Sequence, residues 1–218
     1  AKVASLDDAG RDQVKSLLRI GLQADCQVTS QNWGRDQLRD ADHVVTQIFA
    51  SACSVAYSQN GSGLWKAFAS LILEASYEAA LIASALNALD HPGRPHASKV
   101  FLTAVGGGVF GNGLAWIARA IEKALSAVDY PLDVRLVTYA PPVPRPFETL
   151  AAVAESLAAS RKRPRDDEGS ALGGTNASSP AAVRAARVAA LEAPPPAPAD
   201  ATTAAAPPPA PADAAKDA

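Results

Sequence analysis

An apolar run that ends in three glycines and turns directly into a helix constrains this chain more than any other feature. The run is Lys99-Val-Phe-Leu-Thr-Ala-Val105, the elbow is Gly106-Gly-Gly-Val-Phe-Gly-Asn112, and a helix-patterned stretch starts near Leu114. Glycines let the backbone adopt positive φ and let another group come close. A helix start adds unpaired N–H groups and a positive dipole end. Together they make a ready anion site whose natural occupant is a phosphate or diphosphate. A turn that only connects a strand to a helix seldom needs three glycines, since each costs roughly 0.5–1 kcal/mol relative to Ala in regular structure.

The flanking pattern alternates strand and helix. Residues 14–22 read as a short helix leading into a strand, residues 24–30 as an outer strand, and residues 32–42 as a loop. Residues 44–57 form a β-branched, small and aromatic run long enough for a central strand, broken by Ser58-Gln-Asn-Gly-Ser-Gly63. From Trp65 to Leu89, apolar residues recur at spacings of three and four, and Asp90-His-Pro-Gly93 stops the helix. Lys66, Ser70, Glu74 and Glu78 line its polar side. The strand 100–105 is continuously apolar, as for a strand covered on both faces. A helix follows from Leu114 to Val128 with Asn112 as N-cap, then a strand at 132–139, then a helix at 147–160 with Pro146 near its start. The order predicts an α/β layer with largely parallel strands and right-handed crossovers.

Every Phe, Tyr and Trp lies at or before Phe147, and beyond about Ser160 the chain is mostly Ala, Pro, Asp, Ser and Gly. Such a segment cannot bury enough apolar surface to offset its ordering entropy. The expectation is one ordered domain over residues 1–160 and a disordered tail over 161–218. Arg161, Lys162, Arg163 and Arg165 open that tail, either as a nuclear-import signal or as cations suited to a helix end. The net charge of −2 gives no overall basic field for nucleic acid. Neither a run of about 18 uncharged apolar residues nor a signal-peptide core occurs, so an intracellular protein, cytoplasmic or nuclear, is expected. Cys26 and Cys53 lack metal-type spacing and read as reduced thiols. Met is absent even from position 1, so either the first residue has been removed or, the preferred reading, this is a fragment of a longer chain.

Gly106, Gly108 and Gly111 satisfy G-x-G-x-x-G formally, but the acidic residue that should end the next strand is missing. That strand ends at Val137-Thr-Tyr139, with Asp129 and Asp133 near its beginning, and no Lys-Ser/Thr pair makes the elbow a P-loop. Ser51 and Cys53 read as strand packing, because no general base is evident for either. His43, His91 and His96 lack ligand spacing and read as solvated, so no metal is expected. Glu74 and Glu78 share a helical face and read as a wet surface. Trp65 and Trp116 read as packing residues.

Val100-Phe-Leu-Thr-Ala-Val-Gly-Gly-Gly-Val-Phe-Gly111 resembles the second phosphate-binding loop of the macrodomain family, the ADP-ribose-binding modules. The helix containing Leu73-Glu-Ala-Ser-Tyr-Glu-Ala-Ala80 is similar to the helix before that strand. Asp133-Val-Arg-Leu-Val-Thr-Tyr139 and the helix at 147–157 resemble the family's last strand and closing helix, so the likeness spans residues 44–160. It implies a three-layer α/β/α fold on a mixed, mostly parallel sheet. It also implies that the amides of Gly107, Gly108, Val109, Phe110 and Gly111 donate to a diphosphate. Gly106 and Asn112 flank that cradle, the Phe110 ring packs on the distal ribose, and Tyr139 flanks the adenine. The family's early Asp-bearing strand and Asn/Gly-rich first loop find no counterpart upstream of Val44, and no Gln-Glu-Glu triplet follows Gly108. The first half of the family's domain is therefore missing or replaced.

The resulting expectation is recognition of ADP-ribose, free or on an ADP-ribosylated protein, or of a related nucleotide diphosphate, without metal or cofactor. Two alternatives stand beside it. One is an ADP-ribosyl hydrolase or deacylase, if a longer parent carries the first loop. The other is a degenerate scaffold that binds nothing.

Overall fold

The computed structural model describes residues 2–139 and 141–162. Residues 163–218 of the expected tail, Arg163 and Arg165 among them, lie outside those residues, whereas Arg161 and Lys162 end the last described helix. The architecture of the described residues is mixed α/β: small two-stranded sheets packed with helices.

The spine is α2, Ser62–Asp90, which begins three residues before Trp65 and ends at the Asp-His-Pro-Gly stop. By length and composition this helix qualifies as a bilayer span, yet here its Leu71, Leu73, Tyr77, Leu81 and Ala85 are core residues. Against it lies α3, Leu114–Ala127, whose Ile117, Ile121 and Ala124 are buried in the same cluster. Alanines at 80, 85, 118, 120 and 124 are buried as well, so small side chains serve wherever the core is tight.

Beside α2 and α3 runs a parallel pair, β5 (Lys99–Thr103) and β6 (Asp133–Val137), in register from Lys99 opposite Asp133 to Thr103 opposite Val137. With α3 between them they form the expected strand-helix-strand unit. Val100 and Leu102 are buried on one face. The other face leaves Phe101 62% and Val137 49% exposed, so the expected coverage of both faces does not hold. No described helix covers that side, and continuous hydrophobicity in a five-residue strand did not distinguish one covered face from two.

The N-terminal half departs most from expectation. The helix expected at 14–22 is α1, Asp8–Ser16, capped by the Asp7 carboxylate, which accepts from the Gly10 amide at 2.8 Å. The strand expected at 24–30 is β1, Gly21–Gln27. A minimal hairpin, β2 (Ser30–Gln31) with β3 (Asp36–Gln37), runs from the end of the expected strand into the expected loop. The long strand expected over 44–57 stops at Phe49: β4 is Val44–Phe49 and pairs antiparallel with β1. Among the described residues the strands therefore form one parallel pair and two antiparallel pairs, not a mostly parallel sheet. The final helix is split at Thr149 into α4, Arg145–Glu148, and α5, Leu150–Lys162.

The polar side of α2 is not a wet surface. Glu74 is 6% exposed and held by Arg11 at 3.2 Å and Lys123 at 2.7 Å, while Lys15 meets Glu78 at 3.0 Å. These ion pairs dock α1, which has no buried residue, onto α2. A sequence stripe cannot show that another helix lies across it.

Candidate functional site

The elbow is built by two successive turns. In the first, the Gly107 amide donates to the Ala104 carbonyl at 3.0 Å, and Gly106 takes a φ of +76°. A positive φ at the third residue of such a turn suits glycine, and here space demands it too. A Cβ on Gly106 would fall inside the radius of the Ala52 Cβ and 2.7 Å from Asn112 Nδ2. In the second turn the Gly111 amide donates to the Gly108 carbonyl at 2.9 Å; Gly111 has φ +70°, and its Cβ would sit 2.8 Å from that of Ala56. Gly107 is constrained more softly, by the side-chain ends of Ile117 at 3.0 Å and Leu114 at 3.1 Å and by the Ala104 carbonyl at 3.2 Å.

Gly108 is different. Its φ is not positive, and a Cβ there would meet nothing within 4 Å. The fold gives no reason for a glycine at this position.

Three groups hold the elbow still. Tyr77, 3% exposed on α2, donates its hydroxyl to the Thr103 carbonyl at 2.7 Å and accepts from the Val105 amide at 3.0 Å. Burial pushes its pKa up to about 12, partly offset by the bond from Val105. Asn112, expected as a helix N-cap, is instead a stitch. Gly113 takes the N-cap position with no side-chain bond, while Asn112 Nδ2 donates to the Cys53 carbonyl at 2.7 Å and the Gly106 carbonyl at 3.1 Å. Donating to those two carbonyls fixes the amide away from the helix start, so Oδ1, the atom that would accept from a helix amide, caps nothing and has no partner among the described residues. The Ala56 amide also donates to the Phe110 carbonyl at 2.9 Å. These bonds bring residues 51–57, which follow β4, against the elbow that follows β5.

Five backbone donors were expected to face a diphosphate. The amides of Gly107 and Gly111 are turned to the protein's own carbonyls and leave that set. Those of Gly108, Val109 and Phe110 have no partner among the described residues, and the uncapped start of α3 follows directly. Val109 is 74% exposed, and the Phe110 ring is met edge-on by Tyr57, centroids 6.2 Å apart and planes at 77°. Tyr139 follows the carboxyl end of β6, on the same edge as the elbow, with its side chain fully exposed.

Tyr57 was missed because it was assigned to the end of a central strand. The signal that finds it is the break at Ser51-Ala-Cys-Ser54, whose small residues let the chain turn and pack on glycines. Val55–Tyr57 is in fact a single 3-10 turn.

Ser51 and Cys53 lie at the carboxyl end of β4, whereas His43 and His96 precede β4 and β5 and His91 follows α2 directly. The histidines therefore sit at the opposite edge, away from either candidate nucleophile. Burial also pushes the Cys53 thiol above its ordinary pKa, which disfavours the thiolate. At that far edge a cavity of about 1010 Å³ opens between β4 and β5 over α2, lined by Thr46, Asn87, Arg94, His96 and Lys99 among others; the elbow does not line it. Among the described residues no cluster of three His, Cys, Asp or Glu side chains is arranged to hold a metal ion.

No protein-family model, curated protein or solved structure matches the chain.

Proposed function

We propose that the chain is a macrodomain-like module that recognises ADP-ribose or a related nucleoside diphosphate at the elbow 106–112. The observation that carries this reading is Gly108. Glycines 106, 107 and 111 are accounted for by positive φ or by close protein neighbours; Gly108 has neither, yet stands beside unpaired amides. A glycine without an internal reason is what the approach of an external group requires. The diphosphate accepts from the amides of Gly108, Val109 and Phe110 and lies near the positive end of the α3 dipole. Phe110 offers its ring to the sugar, and the adenine extends toward Tyr139.

Recognition is favoured over hydrolysis because, among the described residues, no histidine stands at the carboxyl end of β4 beside Ser51 and Cys53. The inward amides of Gly107 and Gly111 favour the competing reading, a scaffold that binds nothing.

Calorimetry of the full chain with ADP-ribose, ADP, NAD and AMP separates the two. ADP-ribose binds best, and Gly108→Glu abolishes binding by filling the approach and repelling the phosphates, while the melting temperature is kept. Equal affinity for AMP and ADP-ribose, or no affinity for any of the four in a folded chain, overturns the proposal.

A further inference from the structure

We infer that Tyr57 is a specificity-determining residue of the elbow, selecting diphosphates that carry a sugar beyond the second phosphate. The inference rests on the diphosphate reading above and adds to it a residue from a different part of the chain.

Three observations converge on Tyr57. Its ring is 69% exposed, so it contributes little as a core residue. Its position is nonetheless set by the backbone: the Tyr57 amide donates to the Ser54 carbonyl at 3.2 Å, and the neighbouring Ala56 amide donates to the Phe110 carbonyl at 2.9 Å. Gly111 must lack a side chain for this turn to approach, since its Cβ would strike Ala56. The chain thus accepts a glycine at positive φ in order to seat the turn that carries Tyr57.

The consequence is an aromatic corner. The Tyr57 and Phe110 rings stand nearly perpendicular, and Phe110 also carries one of the three unpaired amides. A diphosphate on those amides places whatever it bears on its outer phosphate within reach of the corner. An aromatic corner suits a ring with C–H edges and hydroxyls, which a ribose presents and a terminal phosphate does not. The main-chain bonds fix the backbone that carries both rings, so side-chain torsions alone are left to order on binding.

The test is calorimetry of the full chain and of its Tyr57→Ala and Tyr57→Phe variants with ADP-ribose and with ADP. Tyr57→Ala weakens ADP-ribose about tenfold, the worth of one aromatic contact, and leaves ADP within about twofold. Tyr57→Phe retains wild-type selectivity, because the ring and not the hydroxyl makes the contact. Unchanged melting curves confirm that the exposed substitution leaves the fold intact. Equal losses for both ligands, or no loss for either, overturn the role of Tyr57 while the diphosphate reading stands. A wild-type chain that binds neither ligand overturns both.

Discussion

Substituting the four elbow glycines with alanine, one at a time, separates what the fold needs from what a ligand needs. At Gly106 the new Cβ meets the Cβ of Ala52, which has no rotamer to swing away, and the backbone must hold φ +76°. The left-handed conformation costs an L-residue roughly 1–2 kcal/mol. Pushing Ala52 aside also strains the bond from Asn112 to the Cys53 carbonyl, and a buried polar group left unpaired costs roughly 1–3 kcal/mol. Gly106→Ala therefore destabilises by about 2–5 kcal/mol, a large share of the roughly 5–15 kcal/mol that holds a domain folded. Gly111→Ala, against Ala56, loses about 2–4 kcal/mol by the same reasoning. Gly107→Ala meets the flexible ends of Ile117 and Leu114 and, at 3.2 Å, the less yielding Ala104 carbonyl, and loses about 1–2 kcal/mol. Gly108→Ala meets nothing and shifts stability by no more than about 1 kcal/mol, with a gain allowed by the stiffer unfolded chain. Urea unfolding followed by tryptophan fluorescence measures all four, and the m-value shows whether the unfolding unit is unchanged. A Gly108→Ala variant as unstable as Gly106→Ala would refute the argument, because Gly108 would then have a structural reason after all.

Tyr77→Phe removes the donor to Thr103 and the acceptor for Val105, destabilising by about 1–3 kcal/mol in the same assay. Because the Tyr77 pKa is raised from 10.0 to about 12 in the folded chain, the unfolded chain loses this proton first. Stability is therefore full below pH 10 and falls by about 2–3 kcal/mol as pH rises through the folded value, and Tyr77→Phe removes this part of the alkaline loss. Glu74→Ala unpairs Arg11 and Lys123, whose side chains are 21% and 45% exposed and can turn to water, so the loss is about 1–2 kcal/mol. Hydrogen exchange should show α1 losing protection first in that variant, and in high salt for the wild type. Asn112→Asp keeps the shape but puts acceptors against the carbonyls of Cys53 and Gly106; it lowers stability by about 2 kcal/mol, read as a drop in melting temperature.

The sequence by itself determined the elements whose signals are local. Three-and-four spacing marked α2 and α3, an unbroken apolar run marked β5, and the glycine run located the elbow between β5 and α3. Those patterns are written in consecutive residues, so no partner is needed to read them. Only the tertiary structure decided which glycines are structural, because that depends on Ala52 and Ala56, more than fifty residues away along the chain. It also decided that Asn112 stitches two loops, that Glu74 is buried under α1, and that Tyr57 stands beside Phe110. Each is a fact about who lies opposite whom, which hydrophobic period does not encode: it records that a face is apolar or polar, not what comes to cover it.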